Sequence, residues 1–325
     1  MQIWCQCVKV AFSILGTCLR LTRLLNRLMT SLLRLCVYVI LALLAFAANS
    51  VLCRLALNNG LIDPAQFTTW RLFSGAVTLV LLSAIHCLKH RHSGLKTIWL
   101  EGSWLSAFAL FIYALGFSYS YVTLETGIGA LILFGAVQLT LILLAVWAGQ
   151  KLVWLEWLGL AIAFAGFVYL VLPTLSSPSL FGFVLMTLAG VAWGVYTWRG
   201  KISAKPLFAT TSNFVRTIPI LLLALVAIHF NTAQAASPQL DGIMLAIASG
   251  AIMSGIGYAI WYAALPYLSA SMAAVLQLLV PIIATLGGVI FANESITLHL
   301  VIATLSVLGG VLLVIIARKR TSKNA

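Results

Sequence analysis

This chain of 325 residues is 62% apolar and only 8% charged, with a mean hydropathy of +1.10, and so little polar surface excludes a soluble globular domain. Its net charge of +13 would suit a nucleic-acid partner in a soluble protein. Here the basic residues flank long apolar stretches instead of forming one face, which excludes nucleic acid and makes a lipid bilayer the surrounding partner.

Residues 1–34 come first, with Arg20, Arg23, Arg27 and Arg34 at near-helical spacing among leucines. This basic amphipathic leader reads as an interfacial helix on anionic lipid. Its apolar run from Val10 to Leu19 is followed by arginines rather than a small-residue cleavage site, which does not suit a signal peptide. A start of translation at Met29, just before the first span, is the other reading. All six cysteines (Cys5, Cys7, Cys18, Cys36, Cys53 and Cys87) fall in the first 87 residues and are expected as free thiols.

Ten apolar stretches follow, each near the ~20 residues that cross a hydrocarbon core. They cover 36–57, 65–87, 98–120, 124–147, 152–172, 180–199, 207–230, 241–264, 268–291 and 295–317. Runs this continuous predict an all-α polytopic membrane protein rather than a barrel of short alternating strands. Residues 35–173 and 178–317 form two five-helix halves, and 318–325 a basic tail. Of the 19 Lys and Arg, all but Arg54, Arg71 and Arg216 lie at the chain ends or in the even-numbered loops. By the positive-inside rule both termini are cytoplasmic. Asp63, Glu125, Asp241 and Glu294 gather on the other side.

The halves repeat. An offset of 145 places Arg54 on Arg199 and Arg71 on Arg216, and an offset of 144 places Gln150 on Glu294 and Gly166 on Gly310. Because five spans is an odd number, the second half enters the membrane from the opposite side. Inverted repeats of this kind are typical of secondary transporters, which expose a midplane site alternately to each side.

The stretches Gly257-Tyr-Ala-Ile-Trp-Tyr-Ala-Ala-Leu265 and Ala273-Ala-Val-Leu-Gln-Leu-Leu-Val-Pro281, then Asn293-Glu294 and Gly309-Gly310, resemble the C-terminal half of EamA-like proteins of the drug/metabolite transporter superfamily. Asn49-Ser50, Arg71-Leu72-Phe73, Gly149-Gln150 and Gly166 are similar to the N-terminal half, so the resemblance covers about residues 36–317. It implies two EamA-like five-helix repeats, with spans 1–4 and 6–9 around a central cavity and spans 5 and 10 peripheral. It also implies an exporter or permease for a small metabolite. Where relatives often carry Glu, this chain has Val280 and Gln150, so a proton-coupling role would lack those acids.

Arg71, about six residues into span 2, shares a helical face with Thr68, Ser74, Gly75 and Thr78. A charge at that depth faces protein or a water-filled cavity, so Arg71 and its repeat mate Arg216 are expected to bind an anionic group, or else to snorkel or pair with carbonyls. Pro281 removes a donor, frees the carbonyl of Gln277 and should kink span 9. Gln277, Gln138 in span 4 and Asn49 in span 1 are candidate substrate ligands or interhelical hydrogen bonds. Tyr258 and Trp261, with Tyr262, form a candidate aromatic gate in span 8, or an interfacial anchor. Gly190 and Gly194 suit close helix packing.

The expected function is a secondary active transporter of the cell (inner) membrane, moving an amino acid or related organic solute by alternating access, with a proton or other coupling ion and a possible homodimer. Export of drug-like or amine cations is the alternative within transport. From a different class, an intramembrane enzyme would ask for a catalytic constellation at one face, and the six acids are scattered. No catalytic residue, metal or cofactor is expected.

Overall fold

The computed structural model describes residues 32–89, 96–149, 152–171, 179–200, 203, 205–231, 237–268 and 270–321. Most of the leader, including the start at Met29, and the last four residues of the tail lie outside them. The described residues are all-helical, with no strand among them.

The helices are α1 (Leu32–Asn58), α2 (Pro64–Lys89), the short α3 (Lys96–Leu100), α4 (Trp104–Ser120), α5 (Thr126–Trp147), α6 (Trp154–Val171), α7 (Ser179–Gly200) and α8 (Pro206–Asn231). Then come α9 (Leu240–Ile247), a π-helical stretch (Ala248–Ile256), α10 (Gly257–Ala264) and a 3-10 turn (Leu265–Tyr267). The chain continues with α11 (Ala270–Gln277), α12 (Leu279–Ala292) and α13 (Leu298–Thr321). Eight described helical segments are long and apolar enough to cross a membrane. Trp104–Ser120 and Trp154–Leu170 are apolar but shorter; 17 residues rise about 25 Å, a little under a typical core.

The expected third span is shorter than its apolar run because the chain breaks at residues 101–103. Gly102 takes φ +76, and Ser103 caps α4 by accepting from Ser106 N at 3.1 Å. Asp63 caps α2 in the same manner, accepting from Ala65 N at 2.7 Å with Pro64 at the first helical position. The expected ninth span is divided: α11 ends at Gln277, α12 starts at Leu279, and the break lies one turn before Pro281. The eighth continues from Leu240 to Tyr267 but widens to π geometry in its middle.

The most extensive helix contacts join one half to the other: α6 with α13, α4 with α7 and α8, α5 with α7 and α12, α2 with α8 and the π-helical stretch. Exchanging each span with its counterpart five further on maps α6/α13, α2/α8 and α5/α12 onto themselves, and α2 against span 8 onto α8 against α4. The contact pattern therefore carries the two-fold relation that the offsets suggested. Small residues permit the close approaches. Gly190 and Gly194 of α7 lie against Leu133 O, Ala136 and Thr140 of α5, and a Cβ on Gly159 of α6 would come 2.6 Å from Gly310 O of α13. α1 lies across spans 8 and 9, with Phe46 edge-on to Tyr258 and Trp261 at 5.8 and 5.7 Å and Gly287 against Val51.

Candidate functional site

A cavity of about 320 Å³ opens at the end of the bundle that carries Ser203 and Leu268. Its walls come from the C-terminal halves of α5 and α7, from α10 and from α11, with Gln138, Thr197, Trp261 and Tyr262 among them. This volume is in the range of small-molecule sites. Trp193, Tyr258 and Gln277 form its floor and also wall a second, much smaller chamber of about 20 Å³, room for one water. The chamber is closed in by Phe46, Asn49, Tyr113, Phe117, Leu133 and Phe134. The aromatic rings between the two spaces are in mutual contact: Trp193 lies 4.7 Å from Tyr113 and 5.2 Å from both Tyr258 and Tyr196.

Behind the chamber lies Arg71, 2% exposed. Its Nη2 donates to Tyr113 Oη at 2.9 Å, and its guanidinium lies 4.6 Å from the centre of the Phe117 ring and 5.3 Å from that of Tyr113. Its Nη1 is buried with no hydrogen-bond partner among the described residues. The tyrosine oxygen accepts from the cation, so its own proton remains to be donated; Tyr113 lines the chamber, and its hydroxyl, polarised by the buried positive charge, is also within hydrogen-bond reach of the Tyr258 hydroxyl.

The opposite end is bridged by an ion pair and its hydrogen bonds. Arg54, near the end of α1, pairs with Glu294 in the α12–α13 link, Nε to Oε1 at 3.2 Å, and donates from Nη1 to the carbonyls of Tyr121 at 3.0 Å and Val122 at 3.3 Å. Both Glu294 oxygens accept from Thr126 N at 2.9 Å, at the first turn of α5. Beside this cluster Glu125 is half-buried, and burial first, then the Glu294 charge, hold its carboxyl above the usual range despite Arg54.

The structure brings together four of the sequence candidates at the open cavity: Gln138, Tyr258, Trp261 and Gln277. Gln138 is buried, and its Nε2 has no partner among the described residues. Asn49 lines the inner chamber; Ser249 Oγ donates to its Oδ1 at 2.7 Å, leaving the amide NH2 as the end it can offer. Arg71 stands one side chain behind the chamber rather than in its wall. Arg216, its repeat mate, is at neither space. It donates to Trp99 O at 3.0 Å and Glu101 O at 3.2 Å and lies over the Trp104 ring, holding the segment where α3 ends. That placement has a physical cause: unpaired carbonyls at a helix C-terminus lie within its reach.

Tyr113, Trp193, Phe46 and Phe117 were missed in the sequence, where they read as ordinary apolar positions. The signal for two of them is the spacing Tyr113, Phe117, Tyr121, one aromatic every four residues along a face of α4.

The family model described as EamA-like transporter family matches this chain twice, at residues 33–172 and 180–316. An uncharacterized protein of Pseudomonas aeruginosa, PA1977, is 44% identical over 281 residues, covering 86% of this chain and 93% of its own length. An uncharacterized transporter of Archaeoglobus fulgidus is 28% identical over 218 residues, 66% of this chain and 76% of that protein. The uncharacterized transporter YoaV of Bacillus subtilis is 19% identical over 260 residues, 77% of this chain and 86% of that protein. A crystal structure 18% identical in sequence superposes with a TM-score of 0.57, covering 86% of this chain and 98% of the other, which shows the fold alone.

Proposed function

The chain belongs to the EamA-like transporter family, and from that premise we propose that it is a secondary transporter working by alternating access, caught with one end open. In this reading all ten apolar segments cross the membrane, the halves 35–173 and 178–317 are inverted repeats, and both termini are cytoplasmic. The cavity then faces the cytoplasm, and the Arg54–Glu294 end faces outward, in the cell membrane of a bacterium.

The observation that carries the proposal is the pairing of an open, ligand-sized cavity at one end with an ion-paired, helix-capped seal at the other. The substrate is a small organic anion or zwitterion, an amino acid or related acid. It first meets Gln138, Tyr258, Trp261 and Gln277, then passes Trp193 to the chamber where Asn49 and the Arg71-polarised hydroxyl of Tyr113 wait. An amine cation has one observation in its favour, the aromatic walls of both spaces. The buried, uncompensated charge of Arg71 opposes it.

Substrate-dependent thermal stabilisation of the detergent-purified protein tests this, because a ligand bound only by the folded state raises apparent stability. Stabilisation by amino or organic acids that weakens in Gln277→Ala and Tyr113→Phe supports the proposal. Stabilisation by cations alone refutes the choice of substrate, and a hit untouched by both substitutions refutes the site.

A further inference from the structure

Arg71 is a buried cation without a counter-charge. The ionisable groups around it are the Tyr113 and Tyr258 phenols and the Cys53 thiol, all neutral near pH 7. Acids of the chain are engaged elsewhere: Asp63 caps α2, Glu156 accepts from Val153 N at 2.8 Å, and Glu294 pairs with Arg54. The faces of Phe117 and Tyr113 offset part of the cost of burying the guanidinium, and Tyr113 Oη takes one of its donors. Its Nη1 has no partner among the described residues. The chamber of about 20 Å³ in front of it is lined by donors and by apolar groups, with no acid in its wall. Tyr113 and Tyr258 lie within hydrogen-bond reach of one another there. Two hydroxyls share one hydrogen bond, so whichever donates, one of the two protons is left over, and the Arg71 charge behind the pair polarises it. Asn49, with its Oδ1 held by Ser249 Oγ, offers its amide NH2, and Gln277 brings a second amide from the last position of α11.

We propose that this chamber is a halide site: one chloride ion, held by the tyrosine hydroxyl and the Asn49 amide, is the counter-charge of Arg71 in the substrate-free protein. Volume and charge together select the ligand. The chamber exceeds the ~10–15 Å³ that one water needs, and a chloride ion is little larger than a water molecule, whereas sulfate and organic anions are too bulky to enter whole. A water there would satisfy the donors but leave the buried charge uncompensated. A carboxylate reaches the same donors with its oxygens only if the rest of its molecule stays in the open cavity, across the floor formed by Trp193, Tyr258 and Gln277. The acid group of a substrate therefore displaces the ion. That displacement rests on the acid-substrate reading above, and the halide site itself rests on the geometry.

The test follows thermal unfolding of the detergent-purified full-length protein at constant pH and ionic strength while sodium gluconate, whose anion is too large for the chamber, is replaced by sodium chloride or sodium bromide. Wild type should show a saturable rise in melting temperature with either halide, as a ligand bound only by the folded state produces. Arg71→Met should show no saturable halide response, and Tyr113→Phe should need roughly tenfold more halide for the same rise. Arg216→Gln, which removes a cation that touches neither space, should keep the wild-type response. In crystals grown in bromide, the anomalous signal should place one ion in the chamber. A wild type without a saturable response, a response that survives Arg71→Met in folded protein or is lost in Arg216→Gln, or a chamber holding only water in bromide overturns the site. At a halide concentration about ten times its Kd, the amount of organic acid giving half-maximal stabilisation should rise about tenfold. Additive stabilisation by the two would refute displacement and the route of the acid into the chamber. A halide response with no organic acid stabilising the protein would count against the substrate reading and leave the halide site standing.

Discussion

Replacing Tyr113 by Phe removes one oxygen and should destabilise the protein by about 1.5–3 kcal/mol, the range for a hydrogen bond to a charged group. The ring stays, so the packing of Tyr113 against Trp193 and its contact with the Arg71 guanidinium are kept. What is lost is the one hydrogen bond shown for the guanidinium, Nη2 to Tyr113 Oη at 2.9 Å, with Nη1 already unpartnered among the described residues. Interhelical hydrogen bonds in membranes average only about 0.6 kcal/mol and reach about 1.7 kcal/mol at most, so a loss beyond that upper value would itself report the charge. Arg71→Met separates structure from function. Removing a buried charge and refilling its volume is often neutral or stabilising, whereas orphaning the charge is not. The double variant Arg71→Met/Tyr113→Phe should therefore be more stable than Tyr113→Phe alone, a coupling that a double-mutant cycle of unfolding midpoints in detergent measures. Both Met variants should bind anionic substrate at least tenfold more weakly. If Tyr113→Phe is as stable as wild type, or if the cycle is additive, Arg71 is held by something other than this hydroxyl and the polarised-donor argument fails.

Gln138→Met should leave the ligand-free protein as stable as wild type or slightly more so, because it removes a buried amide nitrogen with no partner among the described residues. It should also weaken substrate-dependent stabilisation, and unchanged binding would make Gln138 a packing residue. Gly250→Ala should lower the melting temperature clearly, by an overpacking cost of about 1–3 kcal/mol, since its Cβ would fall on the Arg71 carbonyl and Ser74 Oγ; Gly309→Ala, with open space around it, should not. Glu125→Gln carries a pH signature. A carboxyl raised in the folded state binds more protons there than when unfolded, so its ionisation destabilises the protein as pH rises beyond the ordinary carboxylate range. The variant should melt higher than wild type at neutral pH, and the gap should close in acid; equal curves at both ends would contradict the shift.

The eight described segments long and apolar enough to cross a membrane were legible because hydropathy is a local property, and a bilayer requires about twenty apolar residues wherever a helix crosses. The places where the helices depart from regularity were only partly so. Pro281 gave a chemical reason for the break beside Gln277, whereas the π-helical stretch Ala248–Ile256 has no proline, and its two Ser-Gly pairs, Ser249-Gly250 and Ser254-Gly255, weaken a helix without specifying π geometry. Its cause is tertiary: Gly250 and Gly255 lie against Arg71 O and Thr78 of α2, and Ser74 Oγ reaches the Ile247 carbonyl at 3.4 Å, so the fit to α2 sets the geometry there. Arg71 and Arg216 looked equivalent because the repeat relates them, yet one is enclosed by aromatics and the other holds the end of α3. A repeat offset specifies the backbone position and not which neighbour the side chain reaches. Glu294 and Arg54 were each visible as rare charges, but 240 residues separate them and no spacing rule joins such a pair.

Arg54 and Arg199 occupy corresponding positions in the halves. Arg54 finds a carboxylate, two carbonyls and, through the carboxylate, the N-terminus of α5. Arg199, at the end beside the open cavity, finds two hydroxyls, Ser106 Oγ at 3.2 Å and Ser103 Oγ at 3.3 Å. The bonds at both ends are charge-assisted through a guanidinium, but only the Arg54 end adds an ion pair and a carboxylate set on a helix N-terminus, so the two ends are not held equally. On the alternating-access reading, a difference of only about 1.4 kcal/mol already sets a tenfold preference between the two states. The empty protein then rests with the Arg54 end shut and the Arg199 end open.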